Sequence, residues 1–121
     1  MHDNLRAAMR VLVVDDDPLN RDATCETLRW DGWEVEMATT PEQARELVRS
    51  ACPDMVVISG PLALAMDADL RAGLLSQIPV IALSSSEDGG AADAILPSPV
   101  DALELLATAR LLTRNRFVMA R

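Results

Sequence analysis

The sequence predicts an α/β domain, a doubly wound parallel sheet with helices on both faces. Three observations carry that prediction. Val11–Val14 is an unbroken, largely β-branched apolar run, the pattern of a strand buried on both faces. Strand-like runs then alternate with helical patterns five times along 121 residues, which predicts right-handed crossovers between parallel strands. Finally, the first run passes straight into Asp15, Asp16 and Asp17, followed by Pro18. Asp is a good helix N-cap and Pro suits the first turn, so a helix begins where the strand stops. Sites in open α/β sheets gather at the carboxyl ends of strands. The three carboxylates stand at such an end.

The remaining elements follow from period and punctuation. Residues 1–8 form a polar lead-in. Pro18–Asp31 reads as a helix with Ala23, Thr24, Thr27 and Leu28 on one stripe and Gly32 closing it. Trp33, Val35 and Met37 alternate with Glu34 and Glu36, as in an edge strand with one wetter face. Thr40, Pro41 and Gln43 form a capping-box signature, and Ala44, Leu47, Val48 and Ala51 continue with helical spacing until Pro53. Asp54–Ser59 is a third strand with the apolar centre Met55–Ile58, and Gly60-Pro61 turns the chain. Leu62–Ser76 reads as one helix with Ala63, Met66, Leu70 and Leu74 inward. Pro79–Ser84 and Ala94–Leu96 are the fourth and fifth strands. Ser98 and Pro99 start a last helix running to about Asn115. No repeat or linker interrupts residues 1–121, so one domain is expected.

Composition excludes several functions. Half the residues are apolar, which disfavours disorder. No apolar run is long enough to span a membrane and no signal-peptide pattern opens the chain, so no membrane partner is expected. The formal charge of −8 argues against a nucleic-acid partner. All eleven basic residues are arginine, and the chain contains no lysine. Cys25 and Cys52 lack metal-ligand spacing and read as reduced, buried or half-buried helix residues of a cytoplasmic protein. His2, the sole histidine, lies on the tail, so Ser/His and Cys/His catalysis lack a base. Trp30 and Trp33 flank a turn and read as packing residues.

Four segments carry a family likeness. Val-Leu-Val-Val-Asp-Asp-Asp-Pro-Leu-Asn-Arg (11–21), Pro-Asp-Met-Val-Val-Ile-Ser (53–59), Pro-Val-Ile-Ala-Leu-Ser (79–84) and Asp-Ala-Ile-Leu-Pro-Ser-Pro (93–99) resemble, in order and spacing, the receiver domain of bacterial response regulators. The likeness covers about residues 9–113. It implies a flavodoxin-like (CheY-like) five-stranded sheet of order 2-1-3-4-5. It also implies phosphoryl transfer from a kinase phosphohistidine to an aspartate ending the third strand. An acidic pair holds Mg²⁺ there, a Ser/Thr ends the fourth strand, and a Lys-Pro follows the fifth.

Carried over residue by residue, the match is partial. The acidic pair falls on Asp15 and Asp16, and the hydroxyl on Ser84. The phosphoacceptor position is Ser59, the lysine position is Ser98 with Pro99 retained, and the aromatic switch position is Ile95. Phosphoryl transfer requires an in-line nucleophile, a metal to neutralise charge and a cation for the product phosphate. Ser59 is un-ionised and no histidine is placed to act as its base, and two carboxylates make at best a weak, vestigial Mg²⁺ site. The resemblance therefore implies a pseudo-receiver: not an enzyme, without a cofactor, signalling by contact with a histidine kinase or regulator domain. The alternatives are a working receiver that uses Asp15 or Asp16 as acceptor, and a receiver sensing a small nucleotide. Only thirteen residues, Ser85–Pro97, separate the serine landmarks, so the helix between the fourth and fifth strands is expected to be shortened or missing. The last helix is apolar beyond one stripe, which predicts a partner or homodimer contact there, through Leu105 and Leu112.

Overall fold

The computed structural model describes residues 9–72, 77–84 and 92–119, with the backbone alone for residues 70, 71 and 115–119. Ten elements follow in order: β1 (Arg10–Val14), α1 (Pro18–Trp30), β2 (Glu34–Ala38), α2 (Pro41–Ala51), β3 (Met55–Ser59), α3 (Gly60–Ala65), α4 (Asp67–Ala72), β4 (Val80–Leu83), β5 (Ala94–Leu96) and α5 (Ala102–Met119). All strand pairs are parallel, in the expected order β2-β1-β3-β4-β5. Val14 stands beside Ile58 in the register of β1 and β3. The strand order reverses at this pair, so their carboxyl ends border the crevice of the sheet.

Strand alternation divides the core into two layers. Val11, Val13, Met55, Val57, Ile81 and Leu83 pack on one face with Cys25, Leu28, Leu105 and Ala109 of α1 and α5. Leu12, Val14, Val56, Ile58, Val80 and Ala82 pack on the other with Ala44, Val48, Ala63 and Met66. Fully burying one such side chain is worth about 1.5–3 kcal/mol, so the sheet is the main source of stability.

Several elements differ from the sequence expectation. Helix α1 ends at Trp30, with Asp31 as C-cap and Gly32 at φ +95° just beyond, a conformation glycine adopts without a Cβ penalty. Its buried residues are Thr24, Cys25 and Leu28, while Ala23 faces solvent. Trp33 packs as expected, 8 % exposed, but Trp30 is 83 % exposed. Met37 is also exposed, because β2 is an edge strand with β1 as its one neighbour. At α2, the Thr40 Oγ1 accepts from the Gln43 amide at 3.1 Å, and Gln43 Oε1 accepts from the Thr39 amide at 2.7 Å. The reciprocal bond of the capping box thus lands one residue early.

The helix expected over 62–76 is broken. Met66, at φ −103° and ψ 17°, separates α3 from α4 and is itself fully buried. Burial of this side chain outweighs helical continuity. Arg45 of α2 grips Asp69 of α4 through two bonds of 3.0 and 2.9 Å, so α4 is tied to α2 as well. Leu74 and the stretch 85–91, where the shortened helix was expected, lie outside the described residues, as does the side chain of Leu70. The last helix starts at Ala102, not at Ser98-Pro99, because Asp101 Oδ2 accepts the Glu104 amide at 3.0 Å. The Ser98–Pro99 bond is cis, and α5 continues past Asn115 to Met119.

The two cysteines are unlike each other. Cys25 is buried in α1, and burial pushes its thiol up from the ordinary value. Cys52 is exposed, in left-handed geometry at the end of α2, contrary to the expectation of two packed helix residues. An aromatic disulfide reagent is expected to titrate Cys52 in the native protein and Cys25 only after unfolding. Equal rates for both thiols in native buffer would contradict this.

Candidate functional site

A cleft of about 460 Å³ opens at the carboxyl ends of β1, β3 and β4. It is lined by Asp15, Asp16, Asp17 and Asn20 from the start of α1, Ser59, Gly60, Pro61 and Leu64 from β3 and α3, Leu83 and Ser84 from the end of β4, and Ser98 beyond β5. The fold thus brings together Asp15, Asp16, Ser59, Ser84 and Ser98. Ile95 does not join them: it is exposed on the edge strand β5.

Asp15 is the buried carboxylate of the cleft, 5 % exposed. Its amide donates to the Ala38 carbonyl at 3.0 Å, which extends the β1–β2 ladder by one residue. Its Oδ1 accepts the Asp17 amide at 2.9 Å. Burial holds its carboxyl above the ordinary range; the Asp17 amide works against that, and the charges of Asp17 and Asp16 reinforce it. Asp16 is exposed. Asp17 is committed to capping α1, accepting from the Leu19 amide at 3.0 Å and Asn20 Nδ2 at 3.1 Å, as its position before Pro18 suggests.

Ser59 closes β3 and stands at the N-cap position of α3 without capping it. Its Oγ is buried without a hydrogen-bond partner among the described residues. Ser84 sits against Gly60: a Cβ built on Gly60 would lie 2.8 Å from Ser84 Oγ and 2.9 Å from Ser84 Cβ. Only glycine permits this approach between the ends of β3 and β4. In the sequence Gly60 reads as a turn residue and Asn20 carries no signal of its own. A glycine directly after a buried strand was the available signal for close backbone contact.

No family model matches the chain. Among curated proteins, it is 32 % identical over 119 residues to the response regulator MprA of Mycolicibacterium vanbaalenii, a match covering 88 % of this chain and 51 % of that protein. It is 32 % identical over 121 residues to MprA of Mycobacterium tuberculosis, covering 89 % and 52 %. The sheet order, the cleft and these relatives agree. The chain belongs to the receiver-domain family of response regulators. It spans about half the length of the curated relatives it matches.

Solved receivers share the fold. The signal receiver domain of a Bermanella marisrubri response regulator superposes with a TM-score of 0.78 at 24 % identity, covering 88 % of this chain and 99 % of that one. The chemotaxis response regulator CheY4 of Vibrio cholerae gives 0.76 at 21 %, covering 88 % and 99 %. The receiver domain of a Pseudomonas aeruginosa sensor histidine kinase, which was crystallised with a magnesium ion in its active-site cleft, gives 0.76 at 23 %, covering 89 % and 97 %.

The donors of the present cleft are the carboxylates of Asp15, Asp16 and Asp17 and the hydroxyls of Ser59, Ser84 and Ser98. Among the described residues, no group of three or more His, Cys, Asp or Glu side chains is disposed to hold a metal. Asp15 already spends one oxygen on the Asp17 amide, and the end of β3 offers a neutral hydroxyl. Mg²⁺ prefers several oxygen ligands, with carboxylates among them.

Burial of the Asp15 carboxylate beside those of Asp17 and Asp16 has a cost, which Arg21 offsets in part. Because the folded pKa of Asp15 is raised, the native state binds the extra proton, and stability falls as pH rises from the unfolded value through the folded one. Asp15→Asn keeps the acceptor for the Asp17 amide and removes the charge. It is expected to raise the Tm of the receiver at pH 7, and the gain should shrink toward zero at the acid end of that window. Thermal melts across pH check this. A variant less stable than wild type at pH 7 would contradict it.

The last helix requires a correction. Leu105, expected at a contact surface, is 0 % exposed and belongs to the α1-side core; Leu112 is half-buried against the same core. Leu105, Leu106, Ala109, Leu112 and Thr113 form the inward stripe by helical period. Among the described residues of α5, the large apolar side chains that face outward are Leu103, 77 % exposed, and Leu111, 64 % exposed.

Proposed function

We propose that this receiver acts through protein contacts without being phosphorylated in its cleft, as a pseudo-receiver of two-component signalling in the cytoplasm. The observation that carries the reading is Ser59: the last residue of β3, at the position where the family resemblance puts the acceptor aspartate, is a neutral hydroxyl whose Oγ makes no hydrogen bond among the described residues. The absence of any lysine supports it, since no cation of that kind can meet a phosphoryl group. The poor fit of the cleft to Mg²⁺ supports it as well. The partner of such a module is a histidine kinase or a regulator domain.

The test is incubation with acetyl phosphate and Mg²⁺, followed by intact-mass measurement. The expected spectrum is unchanged. An acid-labile species about 80 Da heavier, one phosphoryl group, would overturn the reading, and fragmentation would then show whether Asp15 or Asp16 carries the group.

A further inference from the structure

A second cavity lies at the opposite end of the sheet from the cleft. It is a groove of about 640 Å³ between the turn 31–33, which leads into β2, and the middle of α5. Met9, the residue before β1, also lines it. Met9 and Asp15 bracket β1, so at about 3.3 Å per residue the groove and the cleft lie about 20 Å apart. The apolar lining comes from Met9, Trp33, Ala107 and Leu111. Ala107 and Leu111 are exposed and belong to the outward stripe of α5, which the sheet does not cover. In this groove the outward stripe meets another part of the chain.

The charged groups of the groove are Arg110, Arg114 and Asp31. Two guanidiniums and one carboxylate leave a single positive charge. Asp31 is the C-cap of α1, where the helix dipole disfavours a carboxylate, and its side chain is mostly buried. In that place it holds Arg110: its Oδ1 accepts from one guanidinium nitrogen. The Arg110 side chain is otherwise largely exposed, and a guanidinium carries five N–H donors, so donors remain for a second anion. Arg114, four residues on, is exposed and makes no ion pair or hydrogen bond through its side chain among the described residues. The Thr113 hydroxyl adds no donor, since it is spent on the Ala109 carbonyl at 2.7 Å. The chain as a whole carries −8, but salt screens exposed charges beyond about 8 Å, so the two arginines set the local field.

We propose that this groove binds a small monocarboxylate with an apolar body, its carboxylate on Arg110 and Arg114 and its body against Leu111, Ala107 and Met9. The surplus of one positive charge selects a monoanion, and the planar guanidinium fork suits a carboxylate. The apolar lining gives no contact to a purely inorganic anion. The volume lies within the range of about 300–1,000 Å³ found for small-molecule sites. The proposal goes beyond the reading of the cleft and does not depend on it. Phosphorylation of the cleft would sink only the earlier reading, and a groove that binds nothing only this one.

The probe is 2-naphthoate, with the neutral 2-naphthamide as its control, each titrated into the full chain by calorimetry at physiological salt. The expected Kd of the acid is about 0.1 mM, an ordinary efficiency for a ligand of this size. The amide, which cannot form charge-assisted bonds, is expected to bind at least about tenfold more weakly. Arg114→Gln is expected to weaken the acid at least about fivefold and leave the amide unchanged, while Arg114→Lys keeps most of the affinity. Arg114 makes no bond that the fold needs, and circular dichroism melts verify that its variants fold. Arg110→Gln is the second variant; if it fails to fold, having lost its bond to Asp31, the Arg114 pair decides. In amide-resolved NMR, the acid is expected to shift Gly32, the Trp33 indole and residues 107–114, and to leave Asp16 and Ser59 in place. Equal affinity for acid and amide, unchanged affinity in Arg114→Gln, shifts centred on the cleft, or no saturation by about 5 mM acid each overturn the proposal.

Discussion

Leu105→Ala is expected to destabilise this receiver by about 3 kcal/mol, within the range measured for truncating buried leucines. Leu105 is fully buried where α5 meets the sheet, among Val11, Val13, Met55, Val57 and Leu28 of the same core layer. Truncation loses the transfer energy of three carbons and leaves a cavity in a close-packed interior. Small domains have only about 5–15 kcal/mol in total, so the loss is a large fraction of the whole. Leu103→Ala, two residues away on the opposite side of the helix, is expected to change stability by less than about 0.5 kcal/mol. Urea titration of the two variants beside wild type measures both. Equal costs would mean that α5 is rotated from the position described, and the outward stripe with it.

Ser59→Asp is expected to make the receiver sensitive to magnesium. Without metal, a third carboxylate in the cleft of Asp15 and Asp16 adds like-charge repulsion and desolvation, costing about 1–2 kcal/mol. With metal, the three carboxylates form an oxygen site of the kind Mg²⁺ accepts. If the resulting Kd is about 1 mM, then 10 mM Mg²⁺ returns about 1.4 kcal/mol through preferential binding to the folded state. Thermal melts in chelator and in Mg²⁺ should therefore diverge for the variant and coincide for wild type. The opposite outcome, a wild-type Tm that rises with Mg²⁺ as much as that of the variant, would mean that Asp15 and Asp16 suffice to hold the ion. The pseudo-receiver reading would then lose one of its supports.

Local pattern was enough for the sheet and for the place of the cleft. Val11–Val14 and Met55–Ile58 are apolar on both faces because strands in a parallel sheet are covered on both. The carboxylates of 15–17 then stand at a strand end wherever the rest of the chain goes. The absence of lysine and the serine at 59 were likewise legible as residues. Packing decided what period could not. Apolar residues circle α5, so spacing alone could not say which leucines face the sheet; packing in the core layer that holds Val11, Met55 and Leu28 turned Leu105 inward and left Leu103 and Leu111 outside. The run 62–76 has helical spacing throughout, but burial of Met66 and the grip of Arg45 on Asp69 break it into two short helices. Gly60 reads as an ordinary turn glycine until β3 and β4 are set side by side, and then the Ser84 side chain occupies the space a Cβ would need. In each case the deciding contact joins residues distant in the chain, and a linear pattern carries no information about such neighbours.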